Sequence, residues 1–356
     1  MSEVVLIFAI VSLIALIIFL GFLLYGVYAV PSGFTPIEHE PADISVVTAV
    51  RNDKRINRLN EVIKQIRDIQ NFEWVVVDDG SEIPICPSET NIFIRIHYRR
   101  AGRRKKQALK SGIRVSKGKV LAFIDADCIP TKNWLHIITS PIALGKADLV
   151  YGHSIMEGKT FGSKVAIFDH WINSMLTFGL AGYNLHYNAT GRSMAIKREV
   201  FFRTGEFSSH EEIPSGDDDL LLNEALKKGY VPMAILNKQS IVKTDAPKRI
   251  WDLIRQRTRH VQTSFRYPFK LQLILSLFWL FYFTNLISII VLLPFNWAFV
   301  IGLLTLRWFT IGICMLLSSN RLTYKPNLHL PATDFVLFFV YIMIALNQLQ
   351  RTSAHE

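Results

Sequence analysis

The stretch "KVLAFIDADCIP", Lys119 to Pro130, decides the fold. A run of apolar residues reads as a buried strand and then stops at two aspartates, Asp125 and Asp127. Side chains alternate along a strand, so an extended "DAD" sends both carboxylates to one side. Two such carboxylates repel, and one pKa rises, unless a cation sits between them. Mg2+ and Mn2+ prefer oxygen ligands, and Mg2+ is commonly held by one or two carboxylates plus substrate phosphates. The plainer alternative is a turn in which Asp127 caps a helix beginning near Thr131.

Upstream, "ISVVTAV" (Ile44 to Val50), "EWVVVDDGS" (from Glu73) and "IFIRIHY" (ending at Tyr98) read as further strands. "INRLNEVIKQIRDI" sets Ile56, Leu59, Ile63, Ile66 and Ile69 at helical spacing, and Lys105 to Val115 reads as a second helix. Strands alternating with helices predict an α/β fold, a mostly parallel Rossmann-like sheet with helices on both faces. Such sheets bind ligands outside the carboxyl ends of their strands. Asp78 and Asp79 of "VVVDDGS" tip a second strand, so both acidic clusters face one crevice; an Asx turn is the alternative there.

Two more charged runs flank that crevice. "RRAGRRKKQALK" carries Arg99, Arg100, Arg103, Arg104, Lys105, Lys106 and Lys110 between the two acid-tipped strands. It is either a solvated face or a phosphate-binding helix start. "SGDDDLLLNEAL" opens an amphipathic helix with Asp217, Asp218 and Asp219. Acids in a first turn suit the helix dipole. Three exceed what capping needs, which leaves one as a candidate base with a raised pKa.

Half of the 356 residues are hydrophobic, which points to membrane segments. Val4 to Val30 holds 27 uncharged residues, enough to cross a hydrocarbon core of about 30 Å with tilt. The start "MSE" lacks the basic region of a signal peptide, so residues 1–30 are expected to stay as an anchor. Leu271 to Leu306 is also uncharged and broken at Pro294 and Asn296. It reads as spans 271–293 and 297–318. A last run, Phe335 to Leu346 within a possible short span 333–348, has only 12 residues and is a span, a re-entrant piece or an interfacial helix. Arg307 falls inside the second of these spans; either the helix is shifted or the side chain snorkels to an interface, or it faces the protein interior and meets an anionic lipid or polyprenyl-phosphate acceptor. The expected organisation is an anchor (1–30), a linker (31–43), an α/β domain (44–265) and a C-terminal membrane region (266–356).

The formal net charge is +11. No nucleic-acid motif accompanies it, so nucleic acid is not an expected partner. Basic residues before Leu271 favour the cytoplasmic side and anionic membrane lipid. Cys86, Cys128 and Cys314 show no metal or disulfide spacing.

In order, "VRND", "VVVDDGS", "GRRKKQALKSGI", "FIDADC", "GRSMAIKREVF", "GDDDLLL" and "RQRTRH" resemble the family 2 glycosyltransferases over roughly residues 42–265. The anchor and later spans resemble its membrane-bound branch, which includes polysaccharide synthases and ceramide glucosyltransferase. The resemblance implies a GT-A fold with N-terminal and C-terminal transmembrane helices. It implies that Asp79, with Asp53, contacts the nucleoside of a nucleotide-sugar donor. It sets Lys106 and Asp125 at the nucleotide, and Asp127 on Mg2+ or Mn2+.

The family's third motif has Glu where Gly216 stands, and its catalytic aspartate falls on Asp217; the base stays open between Asp217 and Asp218. The membrane branch's Gln-x-x-Arg-Trp appears as Gln256, Arg259 and His260, expected at the acceptor or diphosphate. Histidine in place of tryptophan argues against processive elongation. The implied activity is inverting, metal-dependent sugar transfer to a hydroxyl of an envelope polysaccharide or glycolipid. The alternative is one sugar added to a ceramide-like or polyprenyl lipid. Export subunits are further expected partners. A catalytically dead scaffold is the rival from another class.

Overall fold

A computed structural model of the chain describes residues 2–32, 43–53, 55–67, 72–85, 94–98, 104–213, 215–325, 327 and 329–353. Residues 33–42 of the expected linker, Ile69, Cys86, Arg99, Arg100 and Arg103 lie outside them. Two compact units form. An α/β unit comprises Pro31–Glu157 and His186–Ala246, and a helical unit comprises Met1–Val30, Gly158–Leu185 and Pro247–Glu356.

The strands are β1 (Ile44–Val50), β2 (Glu73–Asp78), β3 (Ile94–Tyr98), β4 (Val120–Phe123) and β5 (Cys128–Pro130). They continue as β6 (Leu149–Tyr151), β7 (Ser154–Glu157), β8 (Met194–Lys197), β9 (Pro232–Ala234) and β10 (Val242–Asp245). The helices are α1 (Ser2–Ala29), α2 (Ile56–Arg67), α3 (Lys105–Val115), α4 (Trp134–Ala143), α5 (Phe161–Ala181) and α6 (Arg198–Arg203). After them come α7 (Asp219–Lys227), α8 (Ile250–Ser264), α9 (Phe269–Leu292), α10 (Trp297–Leu322) and α11 (Leu330–Ser353).

Among the described residues, seven strands form one sheet in the order β3-β2-β1-β4-β8-β6-β9. β3, β2, β1 and β4 run parallel, with Val46 of β1 opposite both Trp74 and Ala122. β8 is antiparallel to both β4 and β6. Val46, Trp74, Val76 and Ala122 pack with Leu59 and Ile63 of α2 and Trp134 of α4. Val75 and Val77 pack against Ala108 of α3 on the other face. Strands covered on both faces need unbroken β-branched runs, and that explains "VVV" and "ISVV". A smaller sheet, β5-β10-β7, lies within the same unit.

In the helical unit, four helices among the described residues are long and apolar enough to cross a membrane: Glu3–Ala29, Phe269–Leu292, Trp297–Leu322 and Leu330–Gln348. The last reaches 19 residues because it includes Asp334, the charge at which the apolar run seemed to begin. Asp334 is fully buried and forms a two-point ion pair with Arg307 of α10, at 2.8 and 3.0 Å. Trp308 Nε1 donates to the same carboxylate at 3.1 Å, as does the Tyr282 hydroxyl. Arg307 also donates to Asn285 Oδ1 at 2.9 Å and to the Tyr282 carbonyl at 3.2 Å. Arg307 therefore does not snorkel: it faces the protein interior, where its partner is Asp334. A buried charge needs a partner, and Asp334 supplies it.

Candidate active site

The carboxyl ends of β1, β2 and β4 bring acidic residues together. After β1, Asn52 adopts a φ of 52°, which asparagine tolerates better than most residues. Its N–H donates to Ser81 Oγ at 2.9 Å, and its Oδ1 accepts from Glu82 N–H at 2.8 Å. The "RND" turn and the "DDGS" turn are thereby tied together. Asp78 closes its own turn, accepting from the N–H groups of Ser81 and Ile85, each at 2.9 Å. Asp79 is buried beside it and donates its N–H to the Val50 carbonyl at 2.9 Å. Asp53 is gripped by Arg55, with Nη2 at 2.6 Å and Nε at 2.9 Å. That hydrogen bonding outweighs burial and holds the Asp53 carboxyl below its ordinary pKa. The same guanidinium stands 3.5 Å from Asp127 and 3.9 Å from Asp245.

The strand expected to run through "DAD" stops at Phe123. Ala126 and Asp127 form a turn closed by Cys128 N–H on the Asp125 carbonyl at 3.1 Å. The cause is β5, which leaves the large sheet to pair with β10, Cys128 opposite Thr244. Strand alternation therefore does not align the two acids; the turn does. Ligand atoms of Asp125, Asp127 and Cys128 lie within 4.8 Å of one another. Asp127 caps no helix here, because α4 begins at Trp134 after Asn133. Its Oδ2 accepts from Thr244 Oγ1 at 3.3 Å. Two carboxylates offer the hard oxygen ligands that a divalent cation takes. Burial, with the charges of Asp125 and Asp127 adding, pushes the Cys128 thiol well above its usual pKa.

α3 supplies the cation. Lys105 Nζ lies 2.7 Å from Asp125 Oδ1 and 2.7 Å from Asp217 Oδ2. Lys106, the residue expected at the nucleotide, turns elsewhere. It is buried, and donates to the carbonyls of His210 at 2.5 Å and Ile213 at 3.0 Å. Neighbouring helix residues point about 100° apart, so the two lysines face different surroundings.

The third acidic cluster begins at Gly216, whose φ of 90° is one that glutamate, common at this point of the family motif, seldom adopts. Asp217 then lines a small cavity with Lys105, Asp125, Gly191 and Met194. Burial would raise the Asp217 pKa, but the Lys105 ammonium outweighs it and holds the carboxyl down. Asp218 is the N-cap of α7 and accepts from Asp219 N–H at 2.8 Å and from Gly191 N–H at 2.7 Å. Burial, then the charges of Asp217 and Asp219, push its pKa up to about 7.

Gln256, Arg259 and His260 lie on α8 in the helical unit, Gln256 half-buried and the other two exposed. Sequence reasoning missed Lys105 and Arg55 as members of the acidic cluster. Each is a cation within two residues of an expected site residue, but only the fold distinguishes it from its neighbours.

Residues 45–207 match the family described as Glycosyl transferase family 2. The glycosyltransferase AglE of Haloferax volcanii is 28% identical over 196 residues, which cover 52% of this chain and 62% of that protein. The chain thus spans less than two thirds of that relative. Among solved structures, the mannosyltransferase PcManGT of Pyrobaculum calidifontis, in complex with GDP-Man and Mn2+, aligns over 98% of this chain and 99% of its own. Its TM-score is 0.65 at 18% identity, a likeness of fold: the GT-A sheet with terminal apolar helices.

Proposed function

We propose that the chain is a membrane-bound, metal-dependent glycosyltransferase, a reading supported by the match of residues 45–207 to Glycosyl transferase family 2. It moves a sugar from a nucleotide sugar to a hydroxyl acceptor with inversion. The observation that carries this reading is the meeting of Asp125, Asp127, Lys105 and Asp217 in one place. Asp53 and Asp79 lie at the nucleoside end. Asp125 and Asp127 would hold Mn2+ or Mg2+; the mannosyltransferase of similar fold carries Mn2+ with GDP-Man. A bound divalent cation neutralises the charge that develops on a departing diphosphate.

Lys105 keeps Asp125 and Asp217 charge-balanced and close before the donor arrives. Asp217 takes the proton of the acceptor hydroxyl. Its place in the cavity lining and its count in the third motif support it over Asp218, which caps α7. Attack from the face opposite the leaving group inverts the anomeric carbon in one displacement. Donor pools of this kind are cytoplasmic, so the α/β unit faces the cytoplasm. Histidine at position 260 supports transfer of a single sugar to a lipid over polymer elongation.

The test is a screen of UDP- and GDP-sugars with Mn2+ on membranes containing the protein, with product mass measured. One sugar on an extractable lipid is the expected product. A ladder of masses would replace that with a polymerase, and no transfer or donor hydrolysis from any sugar would end the enzyme reading.

A further inference from the structure

The motif helix α8 is held by two attachments to α5 that fall in register. At its approach, Thr160 Oγ1 donates to the Lys248 carbonyl at 2.8 Å, and Ser163 Oγ donates to the Pro247 carbonyl at 3.1 Å. A Cβ on Gly162 would stand 2.4 Å from that Lys248 oxygen, so the backbones are as close as they can be. Nine residues further along both segments, Arg257 Nε donates to Asp169 Oδ2. The equal offsets along the two segments set α8 alongside α5. A third attachment comes from α11, where Gln348 Nε2 donates to the Thr258 carbonyl at 2.6 Å.

Asp169 is the centre of this arrangement. Its side chain is fully buried, and it accepts from the Tyr341 hydroxyl at 2.9 Å and from Asn173 Nδ2 at 3.2 Å as well as from Arg257. A buried carboxylate holds its counter-ion in one place, because leaving it unpaired is costly. The rotation of α8 follows. With Arg257 as origin, Thr258 lies about 100° to one side, while His260, Gln256 and Arg259 lie about 60°, 100° and 160° to the other. The attached residues and the three motif residues thus occupy opposite sides of one helix.

We propose that Asp169 and Arg257 are positioning residues: their buried pair sets the rotation of α8, and so which side of the helix presents Gln256, Arg259 and His260 to an acceptor. This rests on the transferase reading above.

The experiment uses the full-length protein in detergent, with Arg257→Met, Asp169→Asn and Arg257→Lys. Turnover of UDP- or GDP-sugar into membrane lipid should fall roughly 10²-fold in the first two, the scale of a small misplacement remote from the chemistry. Donor KM and the affinity for UDP or GDP with Mn2+ should hold. Arg257→Lys keeps the charge and should recover most of the turnover. Hydrogen exchange across residues 250–264 should rise in Arg257→Met and Asp169→Asn, whatever the sugar. Normal turnover, unchanged exchange, or parallel loss of turnover and nucleotide affinity would each overturn the proposal. A wild-type protein that transfers no sugar would refute the transferase reading instead, while the exchange measurement would still decide whether the pair orients α8.

Discussion

Lys105 Nζ lies 2.7 Å from Asp217 Oδ2, and Asp125 shares the same ammonium at the same distance. One cation therefore joins the carboxylate expected beside the metal to the carboxylate expected to take the proton. It also separates Asp217 from Asp218 chemically, since the lysine holds Asp217 ionised while Asp218 serves α7 as its cap. Asp217→Asn should lower turnover by roughly two to four orders of magnitude, the worth of a general base. Asp218→Asn should keep most of it, because asparagine also caps helices well. Turnover with the two variants, at saturating donor, decides; the opposite ranking would move the base to Asp218.

Asp218 also gives a pH signature. Its carboxyl is raised from 3.8 to about 7 in the folded chain. Between those values the folded state keeps a proton that the unfolded state has released. Stability from this group is therefore present at the acid end and lost as pH rises through the window. Asp53 and Asp217 shift the other way, so their contributions fade as pH falls. Comparing thermal unfolding of wild type and Asp218→Asn in detergent cancels the others. The wild type should lose more stability than the variant between about pH 4 and pH 7. Parallel curves would show that Asp218 does not titrate there.

The metal reading makes a simple demand. Asp127→Ala removes one of two close carboxylates and leaves Asp125 on Lys105. Transfer should vanish while the protein stays folded in membranes. Chelation should abolish wild-type transfer, and added Mn2+ should restore the wild type but not the variant. Full wild-type activity in excess chelator would remove the metal from the mechanism.

The two lysines can be told apart. Lys106→Met removes the ammonium that bridges the carbonyls of His210 and Ile213, and so loosens the loop that leads to Asp217. Turnover should fall with little change in nucleotide affinity. If nucleotide affinity collapses instead, Lys106 reaches the donor in the bound state, as the sequence motif suggested.

Much of the α/β unit was legible because its signals are local. "ISVVTAV" and "EWVVVD" are runs that only strands covered on both faces use, and Ile56, Leu59, Ile63 and Ile66 mark one face of α2. The acids at strand ends followed from the same rule. What the sequence hid depends on partners far along the chain. Nothing local stops β4 at Phe123; Thr244 and its strand do. Nothing in "KKQ" says which lysine meets an acid; the direction of α3 does. Asp334 looked like the end of an apolar run because its counter-ion lies 27 residues earlier.

That last pair carries a prediction of its own. Arg307 and Asp334 are both fully buried in the helical unit, and each satisfies the other. Arg307→Gln leaves the Asp334 carboxylate among Tyr282, Trp308 and the glutamine, with no counter-charge. Breaking one side of a buried pair costs about 3–5 kcal/mol, while replacing both sides by neutral groups is often close to neutral. The single variant should therefore reduce the amount of folded protein in membranes and expose a cysteine placed in α11 to an aqueous reagent. The double variant, Arg307→Gln with Asp334→Asn, should recover both, because the amides can still bond to each other and to Asn285. If the single variant accumulates normally and keeps α11 protected, the pair is dispensable for the membrane fold. If the double variant folds but no longer transfers sugar to lipid, the charge itself serves the reaction as well as the fold.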